Sequence, residues 1–408
     1  MSKISSPWRQ DFPMTNQTVH NKPLVYLDTA ASALTPQCVI DKIDKFYQQG
    51  YANVHRGIHH LSSQATQAME QVRHDCAQFL SAASEKNIIF TSGTTASINH
   101  IAQSFVQSQC QAGDEIIITE LEHHANIVPW QMMAEMAGIE IKVWPINAEG
   151  ELKLEQLKPL LSSKTKLLAM SQLSNVLGVH TPVKEAIALA KSVKAATLID
   201  GAQGALHHAV DVSELDCDFY VFSGHKLYGP TGIGVLYMHQ RWFDALPPWH
   251  GGGAMIDKVC LPTGTTYQDA PWKFETGTPH VAGILGLGAA LEYIRQCGWS
   301  AIEAHQTRLM NYALEQLKNI DQITIYGPQN TAPSGMISFN LGSHHAFDVG
   351  SFLDRYGVAI RTGHHCAMPL LQRLEVPAVC RASFGIYNDQ QDVDVLVDSL
   401  KRTLTLLG

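Results

Sequence analysis

Apolar positions along this chain fall into two spacings. After Pro36, the residues Val39, Ile40, Ile43, Phe46 and Tyr47 recur at helical intervals until Gly50. That predicts a helix opened by proline and closed by glycine. Met69, Val72, Cys76 and Phe79–Leu80 predict a second. Short runs then take over: Asn87–Thr91, Glu115–Thr119, Glu140–Trp144, Lys166–Ser171, Thr197–Asp200 and Phe219–Ser223. Helical stretches such as Val183–Lys194 lie between several of them. Strands alternating with helices predict βαβ units and a parallel sheet. Runs such as EIIIT and KLLAM, apolar at successive positions, suit strands covered on both faces.

After a helix over Gly286–Cys297 the pattern changes. A further helix over about 300–318 leads to ITIYG, GMISFNLG, a helix near Phe347–Tyr356, and VAIRTG. This predicts a separate α+β lobe, with the boundary near residue 296. The expected architecture is α/β: a large domain over 25–296 with a mostly parallel sheet, and a smaller one over 297–408 joined by residues 1–24. The first two dozen residues fit against either lobe. There is no repeat and no low-complexity linker.

Composition narrows the function classes. Of the 408 residues, 45% are hydrophobic and 16% charged, the balance of a folded chain with a sizeable core. The net charge of −8 and the lack of a Lys/Arg-rich stripe argue against nucleic acid as a partner. No apolar run reaches the roughly 18 residues of a membrane span. The opening MSKISSPWRQDFP lacks the apolar core of an export signal. Eight cysteines are scattered without CxxC pairing, as suits reduced thiols. The expected location is cytoplasmic.

Candidate chemistry sits at the ends of strands. Lys226 follows the apolar run CDFYVF in SGHK. Alone it reads as a solvated surface lysine, but desolvation lowers an amine's pKa and makes it a Schiff-base nucleophile. Upstream, Asp200 ends the strand in LIDGAQG. Alone it reads as a helix cap. Paired with a strand-end lysine it suits the cationic ring nitrogen of pyridoxal phosphate (PLP), which makes that ring an electron sink. Gln203 is spaced to meet the cofactor's phenolic oxygen. In TSGTTASIN, a strand runs into Gly93-Thr94-Thr95 and then a helix. Backbone N–H groups there, with the Thr94 and Thr95 hydroxyls, make a phosphate cradle or simply a capped helix. Ser223 and His225 stand close enough in sequence to Lys226 to add phosphate contacts. His123, one of 20 histidines, follows strand EIIIT, where an imidazole could stack on the ring and relay protons. Five His-His pairs raise metal binding, but adjacent side chains diverge and no HxH or HExxH spacing occurs, so no metal is expected. In RTGHHCAMPL, Cys366 lies in a loop near two histidines and Arg361, neighbours that favour the thiolate. Arg381, in CRASFGIYN, is either a surface charge or a bidentate partner for a carboxylate.

These pieces together resemble the cysteine desulfurases of the class V aminotransferase superfamily, group II, Suf type. The likeness runs from YLDTAASALTP through NVHRGIHHLS, EHHANIVPWQ, SNVLG, DGAQ, DFYVFSGHKLYGPTGIG, FETGTP and RTGHHCAMPL to CRASFGIYN. It implies a PLP-dependent fold type I homodimer that converts L-cysteine to L-alanine and supplies sulfur for iron–sulfur cluster assembly. Lys226 would hold the cofactor and Cys366 would carry the persulfide. His123 would stack on the ring, Asp200 would pair with the pyridinium and Gln203 with the phenolate. Thr95, Ser223 and His225 would hold the phosphate, with Thr278 reaching in from the partner subunit. Asn175, Arg361 and Arg381 would position the substrate carboxylate, and a SufE-like or SufU-like protein would accept the sulfur. Ser92, Ala96 and His250 replace charged residues that some close relatives carry, which bears on the dimer interface rather than the chemistry. Selenocysteine lyase activity on the same site is the nearest alternative. An aminotransferase and a non-enzymatic scaffold are the others.

Overall fold

The structure is a computed structural model that describes residues 3–328 and 334–407. Seven strands build the large sheet: β1 (Ile88–Thr91), β2 (Glu115–Thr119), β3 (Glu140–Trp144), β4 (Thr165–Ser171), β5 (Ala196–Asp200), β6 (Phe219–Ser223) and β7 (Gly234–Met238). Their order across the sheet is β1-β7-β6-β5-β4-β2-β3. Neighbours run parallel except at β7, which is antiparallel to both β1 and β6. Strands β2, β5, β6 and β7 are buried at every position. Alternate residues feed two cores, with Ile117, Leu168, Ile199 and Phe222 on one face and Ile116, Leu167, Leu198 and Val221 on the other. The apolar runs without alternation therefore mark what they predicted: a sheet covered on both sides.

Six of these strands match runs in the sequence; β7 has no counterpart in that reading. Its GVLYM follows a Gly/Pro-rich stretch and lies close behind β6, so it returns as a hairpin partner rather than through a helical crossover.

Helices cover the sheet. They include α1 (Gln37–Lys45), α2 (His60–Phe79), α3 (Thr94–Gln109), α4 (Val128–Ala137), α5 (Val183–Ser192) and α6 (Val281–Cys297). The predicted stretch after Pro36 divides: α1 ends at Lys45 and Phe46–Gly50 widens into a π turn. Helix α6 starts at Val281, earlier than the predicted Gly286. Its glycines hid that start, and packing explains them. A Cβ at Gly288 would lie 2.5 Å from Val72 of α2, and one at Gly286 would lie 2.9 Å from Ile43 of α1.

The smaller lobe is a four-stranded antiparallel sheet of β8 (Ile323–Tyr326), β9 (Met336–Leu341), β10 (Arg361–Gly363) and β11 (Val379–Ser383), in the order β8-β9-β11-β10. Helices α7 (Trp299–Lys318), α8 (Ala346–Arg355) and α9 (Gln390–Leu407) pack on it through Leu309, Leu353 and Leu396. The N-terminal segment reaches this lobe. Arg9 Nη1 donates to Asp392 at 2.7 Å, and Val25–Tyr26 pairs in parallel with Val358–Ala359. Phe12 joins the two lobes, edge-on to Tyr228, Tyr293 and Tyr387.

Candidate active site

Parallel strands deliver their C-terminal ends to one edge of a sheet, where open α/β folds bind ligands. Here β2, β4, β5 and β6 lead into His123, Asn175, Asp200–Gln203 and Ser223–Lys226. A cavity of about 190 Å³ opens there. It is lined by Thr94, Thr95, His123, Asn175, Asp200 and Gln203 from the large lobe. Ser223, His225 and Lys226 complete that side, and Arg361, His365 and Arg381 come from the small lobe.

Lys226 is half-buried, and its Nζ makes no hydrogen bond or ion pair among the described residues. Burial pushes its pKa down to about 8, helped by Arg381 and Arg361 and opposed by Asp200 and Cys366. Asp200 is pushed up by burial, against the pull of Lys226 and of the Ala202 N–H that donates to its Oδ1 at 2.9 Å. His123 is pushed down to about 3, first by burial and then by Lys226, so its ring is neutral. Its Nδ1 accepts from the Ala125 N–H at 3.0 Å, which leaves the ring proton on Nε2.

The start of α3 supplies the anion seat. Gly93, at φ +142°, caps the helix in a conformation open to glycine. The Thr94 N–H and hydroxyl both bond Ser223 Oγ at 2.8 Å. His225 Nδ1 lies 3.2 Å from Ser32 Oγ, and burial lowers the ring's pKa to about 4. Gln203 Nε2 donates one hydrogen to Ala30 O at 2.8 Å, leaving the second free, while its buried Oε1 is unpartnered among the described residues.

Arg361 and Arg381 face each other across β10 and β11. Two cations side by side call for an anion between or before them. Arg381 spends Nη1 on Asn175 O at 2.7 Å and Nη2 on Asp28 at 3.2 Å; its Nε is buried and unpartnered among the described residues. Burial takes its pKa down to about 10. Cys366 does not line the cavity itself. Arg361, which does, donates to its Sγ at 3.7 Å, and the next residue back, His365, closes the wall. Asn175 Nδ2 donates to His365 O at 2.9 Å. Thr278 lies elsewhere, on a separate cavity of about 760 Å³ shared with Ser92, Ala96 and His250.

The sequence reading overlooked three residues. Asp28 is the carboxylate partner of Arg381. Glu122, fully buried beside His123, accepts from Thr119, Asn126 and Ser171, and burial lifts its pKa to about 7. His124 bonds the Cys366 loop. An acid directly before the His-His pair was the one legible signal for Glu122.

A free strand-end amine, a deep carboxylate, a neutral imidazole and a helix start with open N–H groups fit PLP in one cavity. Among the described residues no group of three or more His, Cys, Asp or Glu is arranged to hold a metal ion.

The chain is similar to known proteins over its whole length. The profile of the aminotransferase class-V family matches residues 25–396. A cysteine desulfurase of Yersinia pseudotuberculosis serotype IB (strain PB1/+) is 57% identical over 98% of each chain, and one of Yersinia pestis is 56% identical over the same share. Among solved structures, the cysteine desulfurase CsdA of Escherichia coli superposes with a TM-score of 0.91 at 41% identity, covering 98% of both chains. The cysteine desulfurase of Thermococcus onnurineus NA1 gives 0.93 at 36%, covering 99% of this chain and 100% of that one. Fold, site chemistry and whole-length similarity converge: this chain belongs to the class-V aminotransferase family, with its cysteine desulfurases.

Proposed function

We propose that the chain takes sulfur from L-cysteine, releasing L-alanine, with PLP held at Lys226 and the sulfur received by Cys366. One observation carries this reading: an amine from the large lobe lines a cavity whose small-lobe wall includes Arg361, which donates to the Cys366 thiol, and His365, the residue directly before it. In this reading residues 25–296 carry the cofactor, and residues 297–408 with 1–24 carry the persulfide loop.

The α3 start with Thr94, Thr95, Ser223 and His225 would hold the phosphate, Asp200 the ring nitrogen and Gln203, through its second amide hydrogen, the phenolic oxygen. When bound, PLP supplies an electron sink next to the substrate's α-carbon. The protein's own groups do the rest. Arg361, Arg381 and Asn175 orient the carboxylate. Lys226 Nζ, more readily a free amine at its lowered pKa, takes the α-proton, and His123 carries protons through Nε2–H. The Cys366 thiolate then bonds the substrate sulfur as the Cβ–S bond breaks. The sulfur stays on the enzyme as a persulfide, and the carbon skeleton gains a proton to leave as alanine.

The finer assignment is Suf type, supported by RTGHHC and SGHKLYGPTGIG. A homodimer is supported by Thr278, which faces a cavity away from its own Lys226, as a residue serving the partner's phosphate would. A SufE-like or SufU-like acceptor feeding iron–sulfur assembly suits a thiol on a short, braced loop. A cytoplasmic location suits eight free thiols.

The test is direct. Lys226→Ala should lose the absorbance of lysine-linked PLP, and Cys366→Ala should keep it while losing persulfide and sulfide from cysteine plus dithiothreitol. A Lys226→Ala protein that retains the band removes the lysine. Undiminished sulfide from Cys366→Ala removes the thiol, and full activity of that variant on selenocysteine alone identifies a selenocysteine lyase.

A further inference from the structure

Cys366 and His365 both sit in left-handed backbone, at φ +55° and +50°. Residues with a Cβ hold that conformation only where their surroundings impose it. Within the loop, His364 helps: its Nδ1 accepts from the Cys366 N–H at 3.1 Å, and its carbonyl from the Ala367 N–H at 2.9 Å. Elsewhere in the small lobe, His365 Nε2 lies 3.1 Å from the Val379 carbonyl and Arg361 donates to the Cys366 Sγ; the large lobe adds further bracing. Asn175 holds the His365 carbonyl. His124 holds the next three residues at both ends. Its backbone N–H donates to the Cys366 carbonyl at 2.6 Å, and its Nε2 accepts from the Met368 N–H at 3.0 Å. One residue thus brackets the stretch Cys366-Ala367-Met368, and its ring also lies 5.6 Å from that of His364.

An imidazole accepting at Nε2 carries its proton on Nδ1 and must be neutral. Burial and the neighbouring His364 push the His124 pKa down, in keeping with that role. The residue directly before it is His123, which lines the cofactor cavity. Two consecutive histidines therefore divide the work between the cofactor wall and the thiol loop.

We propose that His124 is a positioning residue for sulfur transfer: by bracketing the Cys366 backbone it holds the thiol at the mouth of the Lys226 cavity. The inference rests on Cys366 being the sulfur carrier. It concerns rate rather than substrate binding, because His124 does not line the cavity.

The experiment uses the PLP-loaded enzyme and compares His124→Ala, His124→Gln and Cys366→Ala. The glutamine amide oxygen can replace Nε2 as the acceptor. Three readouts are followed: kcat and KM for sulfide release with dithiothreitol, the cofactor absorbance, and the rate at which iodoacetamide alkylates the Cys366 peptide, by mass spectrometry. His124→Ala should lower kcat about ten- to a hundredfold with KM unchanged, the cost of a thiol about 1 Å out of place. The cofactor band should stay as it is, alkylation of Cys366 should change several-fold, and His124→Gln should recover most of both. A His124→Ala enzyme with kcat and alkylation near wild type sinks the idea, as does a glutamine variant no better than alanine. If Cys366→Ala is dead while His124→Ala is fully active, only the positioning role fails. If Cys366→Ala is itself fully active, the carrier assignment falls and takes this inference with it.

Discussion

Lys226 shows how much of this site is made by desolvation. A lysine at pKa 10.5 is almost wholly cationic at neutral pH; at about 8 a useful fraction is a free amine. Below that value the neutral fraction rises tenfold per pH unit, and above it the fraction levels off. The rate at which apoprotein links PLP should therefore climb with pH and flatten near 8, as stopped-flow growth of the cofactor band would show; a profile still rising at about pH 10 would mean an unperturbed lysine. At this scale the sequence was informative wherever a polar residue interrupts the end of an apolar strand, as at Asp200, His123 and Lys226. It was silent where a role depends on a distant partner. Asp28 matters because Arg381, more than 350 positions away, needs a carboxylate, and nothing near Asp28 records that. Glu122 is defined by donors from Thr119, Asn126 and Ser171, which only the folded sheet edge assembles.

The elements carry the cradle. Gly93 and Gly234 lie back to back where β1 meets β7: a Cβ on Gly234 would come within 2.5 Å of Gly93 Cα and 2.7 Å of Phe222 O. Those are backbone atoms, which cannot swing aside. Gly234→Ala should destabilise the apoprotein by about 1–3 kcal/mol in urea melts, the usual cost of overpacking, and should weaken PLP binding by displacing the start of α3. Loss of neither would show that the strand can shift freely. Periodicity found most elements because apolar runs covered on both faces are unmistakable. Strand β7 escaped because its neighbours are glycine and proline, and α6 began early because its glycines serve helix contact rather than helix propensity.

The whole molecule joins its chemistry across lobes. Phe12, Asn175, His124 and Arg381 all reach from one to the other, contacts that the change of pattern along the sequence does not record. Thr278 suggests that assembly goes a step further. Mixing Lys226→Ala protomers with Thr278→Ala protomers should restore, in the mixed dimer, one site with both residues intact. PLP titration would then find up to half the sites regaining wild-type affinity, whereas no recovery would place Thr278 outside any shared site. The sheet itself imposes a timetable. Strand β1 lies at an edge and, among the described residues, pairs only with β7, Gly234 opposite Thr91, more than 140 positions later. At 5–20 residues per second of synthesis, Ile88–Thr91 waits on the order of ten seconds without a ladder partner. The hairpin that carries Lys226 is what ends the wait, so the stretch that bears the reactive amine also seals the nascent sheet.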